Sequence, residues 1–169
     1  IETLTQQMRQ QIPQLLETGY YLDRRTVEER EQRNIFAAAW AEVDAAIAPF
    51  LGEWLALEES LAIFPTSTRG KACIIDNYLE GSKFYLGHVV NGKVYTDRYT
   101  VLTVDGDFLG STSVYNNEAN LYAYAHPHPL INPEVAAFHI DSVPSTFAEN
   151  YPDVMQPFQA AGCLTDLPE

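Results

Sequence analysis

Beyond Arg98 the chain has no lysine or arginine. All ten basic residues fall in the first 98 positions, whereas nine of the 23 acidic residues fall in the last 71. The net charge of −13 therefore divides into about −4 before Tyr99 and −9 from there on. Such a balance excludes a broad, non-specific grip on nucleic acid or on an anionic membrane. Only two cysteines are present, Cys73 and Cys163, which excludes a disulfide-dense scaffold. They read as separate free thiols, Cys73 buried and inert within a strand, with pairing in an oxidising compartment as the alternative. No apolar run approaches the roughly 18 residues of a membrane span. A phosphate-binding Gly-rich loop is absent, as are Cys-x-x-Cys and His-Glu-x-x-His. No basic-then-apolar leader opens the chain at Ile1. The expected compartment is the cytoplasm, with a secreted form left open.

What is present suits a single folded domain over residues 1–169. Hydrophobic residues make up 46% of the chain, enough for a core without metal or disulfide support. Residues 1–64 read as helical. Leu4, Met8, Ile12 and Leu15 recur at helical spacing, although Pro13 interrupts them. Thr26 and Glu29 have the spacing of a capping box, and Phe36, Trp40, Val43 and Ile47 form a stripe behind them. Phe50, Leu51, Trp54, Leu57, Leu61 and Phe64 extend the same period to Pro65, with Glu53, Glu58 and Glu59 on the wet side.

Near residue 70 the period changes. Residues 72–79, 83–90, 93–104 and 107–115 read as strands. Their connectors are Glu80-Gly81-Ser82, Asn91-Gly92 and Asp105-Gly106, the last two suited to tight hairpins. Weaker strands follow near 121–125 and 135–140. The expected fold class is α+β, with N-terminal helices packed against an antiparallel β-meander of four to six strands over 71–141. The alternative is a small closed barrel capped or flanked by the helices. The C-terminal segment, 142–169, should cover the body, with one short helix from Tyr151 ending near Gly162.

Turn geometry predicts a register, and register predicts a site. A three-residue loop at 80–82 places Asp76 opposite Leu86 and Ile74 opposite His88. The Asn91-Gly92 turn places His88 opposite Tyr95 and Leu86 opposite Asp97. Asp76, His88 and Asp97 then share one face. A histidine between carboxylates is a candidate base for a hydrolase- or isomerase-like reaction. Tyr85, Tyr95, Tyr99 and Arg98 are candidate ligand-binding residues, because tyrosine joins an apolar ring to a hydroxyl. His126-Pro127-His128, with His139 or Asp141, is a weaker candidate for transition-metal binding. Arg24, Arg25, Arg30 and Arg33 suit either an anion or an ordinary salt-bridged surface.

No spacing assembles a complete reaction centre, and no cofactor is expected. The leading expectation is a non-catalytic binding or regulatory protein. Its tyrosine-rich sheet and acidic surface would recognise a protein partner, a basic one being the simplest. A homodimer through the Ala37-Ala38-Ala39 run and a small-ligand pocket are the alternatives, beside the enzyme and the metal-binding protein.

Overall fold

The computed structural model describes residues 23–56, 59–78, 81–115, 118–133 and 151–168, together with the helical residues 6 and 10. The expected helix over the first 17 residues otherwise lies outside the described residues, as do the strand near 135–140, His139 and Asp141.

Eight antiparallel strands close into one barrel in chain order. They are β1 Gly52–Leu55, β2 Glu59–Pro65, β3 Lys71–Tyr78, β4 Gly81–Val90, β5 Lys93–Thr96, β6 Thr100–Asp105, β7 Phe108–Tyr115 and β8 Glu118–His128. Each pairs with its neighbour in sequence, and β1 pairs with β8 through Glu53↔His128 and Leu55↔Ala125. Closure leaves no free sheet edge. The expected α+β meander with packed N-terminal helices is therefore incorrect, and the barrel forms instead.

The error lies mainly in residues 50–65. Their apolar spacing fits a helix, yet they form β1 and β2. Leu61 to Pro65 are all buried, because one face of β2 lines the barrel and the other lies under a helix. A strand covered on both sides loses the alternation by which strands are recognised.

The capping box at Thr26 does form. Thr26 Oγ1 accepts from the Glu29 amide at 3.0 Å, and Glu29 Oε1 accepts from the Thr26 amide at 3.1 Å. It starts helix α1, Val27–Ala41, which ends well before Pro49. A short 3₁₀ turn, Ala48–Phe50, follows. Trp40, Ile47, Phe50 and Leu51 join the interior residues Trp54, Ile63, Ile74, Val94, Leu102 and Leu109 in one core. This apolar plug fills the end of the barrel where the 91–92 and 106–107 turns lie.

Polar contacts fasten α1 across that end. The Arg25 side chain is 1% exposed. It donates to the Pro127 carbonyl at 3.1 Å and to Asp23 Oδ2 at 2.8 Å. It also reaches Asp107 Oδ2 at 3.2 Å. Arg33 donates to the carbonyls of Leu51 and Pro49 and lies over the Trp54 ring. Desolvation lowers the Arg33 guanidinium to about 10. The arginine group thus includes two members built into the plug rather than displayed for an anion.

On the outer surface, helix α2, Tyr151–Ala160, covers β2, β3 and β4. Val154, Met155 and Phe158 pack on Ala62, Phe64, Cys73 and Ile75, with Phe64 and Phe158 edge to face at 5.0 Å. The short helix expected from Tyr151 is present, and Gly162 leaves it at a φ of 73°. Directly after it, Cys163 forms a disulfide with Cys73 across a separation of 90 residues. The expected free thiols are therefore incorrect. The pairing depends on α2 folding back over β3, which no local pattern encodes. Among the described residues no helix is long and apolar enough to cross a membrane.

Candidate functional site

Strand register decides which side chains meet inside the barrel. β3 and β4 pair as Tyr78↔Gly81, Asp76↔Lys83 and Ile74↔Tyr85. The expected pairing differs by three residues. An odd slip exchanges the faces of one strand relative to its partner. Asp76 and Tyr85 therefore turn into the barrel, whereas His88 and Leu86 lie on the other face of β4.

The β4–β5 hairpin follows the expected register, with His88↔Tyr95 and Val90↔Lys93. The His88 and Tyr95 rings are stacked at 6.2 Å. Asp97 stands at the start of a turn that divides the expected strand 93–104. It accepts from the Leu86 amide at 3.2 Å. Tyr99, in the same turn, is 87% exposed at a φ of 62°. The structure thus brings Asp76, Tyr85 and Arg98 together and keeps His88, Tyr95, Asp97 and Tyr99 apart from them.

The first three residues belong to a cavity of about 400 Å³ at the end opposite the plug. Its floor is Leu61, Ile74 and Leu102. Above the floor the wall carries small polar side chains, Thr96, Thr100, Ser111 and Ser113. Space survives here because the plug end is filled by tryptophan and branched aliphatics, while this end has serine and threonine at the inward positions. Tyr122 and Tyr124 close the β8 side, their rings 5.2 Å apart. Arg98 stands at the mouth, 5.7 Å over the Tyr85 ring. Its turn is tied by Thr96 Oγ1, which accepts from the amides of Arg98 and Thr100.

Two carboxyls, Glu59 and Asp76, meet within this wall. Tyr85 Oη donates to Asp76 Oδ2 at 3.3 Å. The other oxygen, Asp76 Oδ1, is buried with no hydrogen-bond partner among the described residues. Burial, reinforced by the nearby Glu59 carboxyl, pushes the Asp76 carboxyl up to about 8. Tyr85 and Tyr124 are held above the usual phenol value by burial and by the same carboxyls. Asp76 therefore carries a proton more readily than an ordinary carboxylate would.

Family models, curated proteins and solved structures provide no match to this chain. Chemistry alone must then distinguish the sites. At the plug end, Asp23, Asp107 and His126 bring three potential metal-ligating atoms within 4.8 Å of one another. The buried Arg25 guanidinium already pairs both carboxylates. It holds the Asp23 carboxyl well below the usual range, chiefly through its hydrogen bonds. His128 does not join this group; its Nδ1 lies 2.7 Å from the His126 carbonyl.

Glu59, Ser111, Ser113, Tyr122 and Tyr124 had no place among the expected site residues. A usable signal existed for Ser111 and Ser113. They alternate in a strand, so both point inward once Leu109 does. Glu59 carried no such signal, because its segment reads as the polar side of a helix.

Proposed function

We propose that the protein binds a small organic ligand in the open end of its barrel. The observation that carries this reading is the cavity of about 400 Å³, with an apolar floor and tyrosine walls around the Asp76 carboxyl, one oxygen of which has no hydrogen-bond partner among the described residues. Its size lies within the range typical of small-molecule sites. Apolar floor and rings supply affinity, while the few inward polar groups select orientation. A plugged opposite end makes the site a cup rather than a channel. The disulfide favours an oxidising compartment over the cytoplasm.

The protein-partner reading drew on seven tyrosines in or beside the sheet. Tyr85, Tyr122 and Tyr124 instead line the cavity, which favours a ligand over a flat recognition surface. The His88 enzyme reading needs a carboxylate orienting the imidazole, whereas the His88 ring stacks on Tyr95 and its cross-strand partners are Lys71 and Tyr95.

A small-molecule library screened by thermal shift, followed by calorimetry, tests the proposal. Ligands that stabilise the protein should lose at least about tenfold in affinity in Ser111→Trp, which fills the cavity. Circular dichroism establishes that the variant folds, and Ser113→Trp provides the same test one row higher. His88→Ala should leave those affinities unchanged. Ligands insensitive to both tryptophans but lost in His88→Ala would overturn the proposal.

A further inference from the structure

Given a ligand in the open end, as proposed above, its deepest polar neighbours are Glu59 and Asp76. We infer that the ligand is an organic ammonium compound, its charged nitrogen seated between these two carboxyls and its carbon frame against the rings of Tyr85, Tyr122 and Tyr124.

The hydrogen-bonding balance points this way. Asp76 lines the cavity beside Glu59; its Oδ1 is buried with no hydrogen-bond partner among the described residues, and the Glu59 carboxyl can serve it only while the pair holds a proton. Asp76 Oδ2 is already served by Tyr85 at 3.3 Å. An ammonium group supplies three donors and no acceptor, which matches an acceptor-rich pair. The rings beside the carboxyls add attraction, because an aromatic face draws a cation.

The placement of the basic side chains agrees. Among the described residues Arg98 is the one lysine or arginine lining the cavity. Arg98 is exposed at the mouth over Tyr85, and Lys83 is exposed with its Nζ 5.5 Å from the Tyr78 ring centroid. Neither replaces the missing donor at Asp76 Oδ1. A divalent metal is the less suitable occupant, since no third His, Cys, Asp or Glu joins the pair at metal-binding distance among the described residues.

Among the described residues the charged and titratable groups around the pair are Tyr78 on β3, Lys83 and Tyr85 on β4, Arg98 before β6, and Tyr122 and Tyr124 on β8. In the empty cup a proton lowers the repulsion between the carboxyls. An ammonium takes over that task when it binds, and the proton leaves to solvent.

Matched probes test this. Benzylamine, benzyl alcohol and benzoate share one carbon frame, as do 2-phenylethylamine and 2-phenylethanol. Calorimetry at neutral pH should show each amine binding at least about tenfold more tightly than its alcohol, with benzoate weakest. Asp76→Asn and Glu59→Gln should each remove most of that preference while leaving the alcohols within about threefold. Both substitutions keep the size of the side chain and remove the repulsion between the carboxyls, so folding should be retained, and circular dichroism verifies it. Alcohols binding as tightly as amines, or library ligands sensitive to Ser111→Trp that carry no basic nitrogen, overturn the ammonium inference and leave the ligand-binding reading standing. If no probe and no library compound binds in a manner sensitive to Ser111→Trp, both are overturned.

Discussion

Reducing the Cys73–Cys163 disulfide should lower stability by several kcal/mol without altering the barrel. The bond joins residues 90 apart. In the chain-entropy description, a closed loop of that length removes roughly 4.6 kcal/mol of freedom from the unfolded chain at 25 °C. Native contacts change little on reduction. Cys73 stays buried beneath α2, and Val154, Met155 and Phe158 still pack on β2 and β3. For a chain of this size, about 1 kcal/mol shifts Tm by about 2–4 °C, so the fall should be roughly 9–18 °C. Thermal unfolding followed by circular dichroism, with and without reductant, measures it on the same polypeptide. Cys163→Ser checks the reductant, because Cys163 is only partly buried while Cys73 is fully so. A Tm change under about 3 °C would refute the reasoning, since the unfolded chain would then gain almost nothing from losing a 90-residue tie.

Three other outcomes follow from the packing and the charges. Gly87→Ala should destabilise by about 1–3 kcal/mol in denaturant titration, because the added Cβ would stand 2.5 Å from Val94 Cγ1; Val94→Ala in the same chain should recover part of the loss. Arg25→Met should cost about 2–3 kcal/mol, below the cost of breaking a wholly buried pair because Asp107 is exposed. It should also flatten the acid limb of the stability curve. Asp23 is depressed below its unfolded value in the wild type, so its contribution is present above about pH 4 and is lost as pH falls. Asp76 has the opposite sign: its folded value, raised to about 8, makes stability fall as pH rises from about 4 through 8, and Asp76→Asn should remove that slope.

Local turn chemistry determined how much of this site was legible in the sequence. Asn91-Gly92 fixed its hairpin correctly, because Asn91 at φ 50° and Gly92 at φ 77° occupy the turn that the pair favours. At Asp105-Gly106 the turn residues are Gly106 and Asp107, and Asp105 pairs with Phe108. That two-residue difference moved the rows but preserved the faces. The connection from β3 to β4 carries no such sequence signature, and Gly81, read as part of the loop, is the first residue of β4. The resulting odd slip carried His88 out of the cavity wall and put Tyr85 beside Asp76. Tyr99 explains the missed break between β5 and β6, since a tyrosine at positive φ gives no warning of a turn. Closure between β1 and β8 was illegible for another reason. It joins strands separated by some 70 residues, and no property of either strand alone specifies its partner.

Chemical-shift mapping with 2-phenylethylamine tests the central claim, that ligands enter the open end of the barrel, most directly. Backbone amide shifts should move at Leu61, Asp76, Thr96, Ser111, Ser113 and Tyr124, and the Asp76 side-chain carboxyl should move with them. Residues around the 91–92 and 106–107 turns, at the plugged end, should stay still. Shifts confined to His88, Tyr95 and Tyr99, with the cavity residues unmoved, would contradict the account.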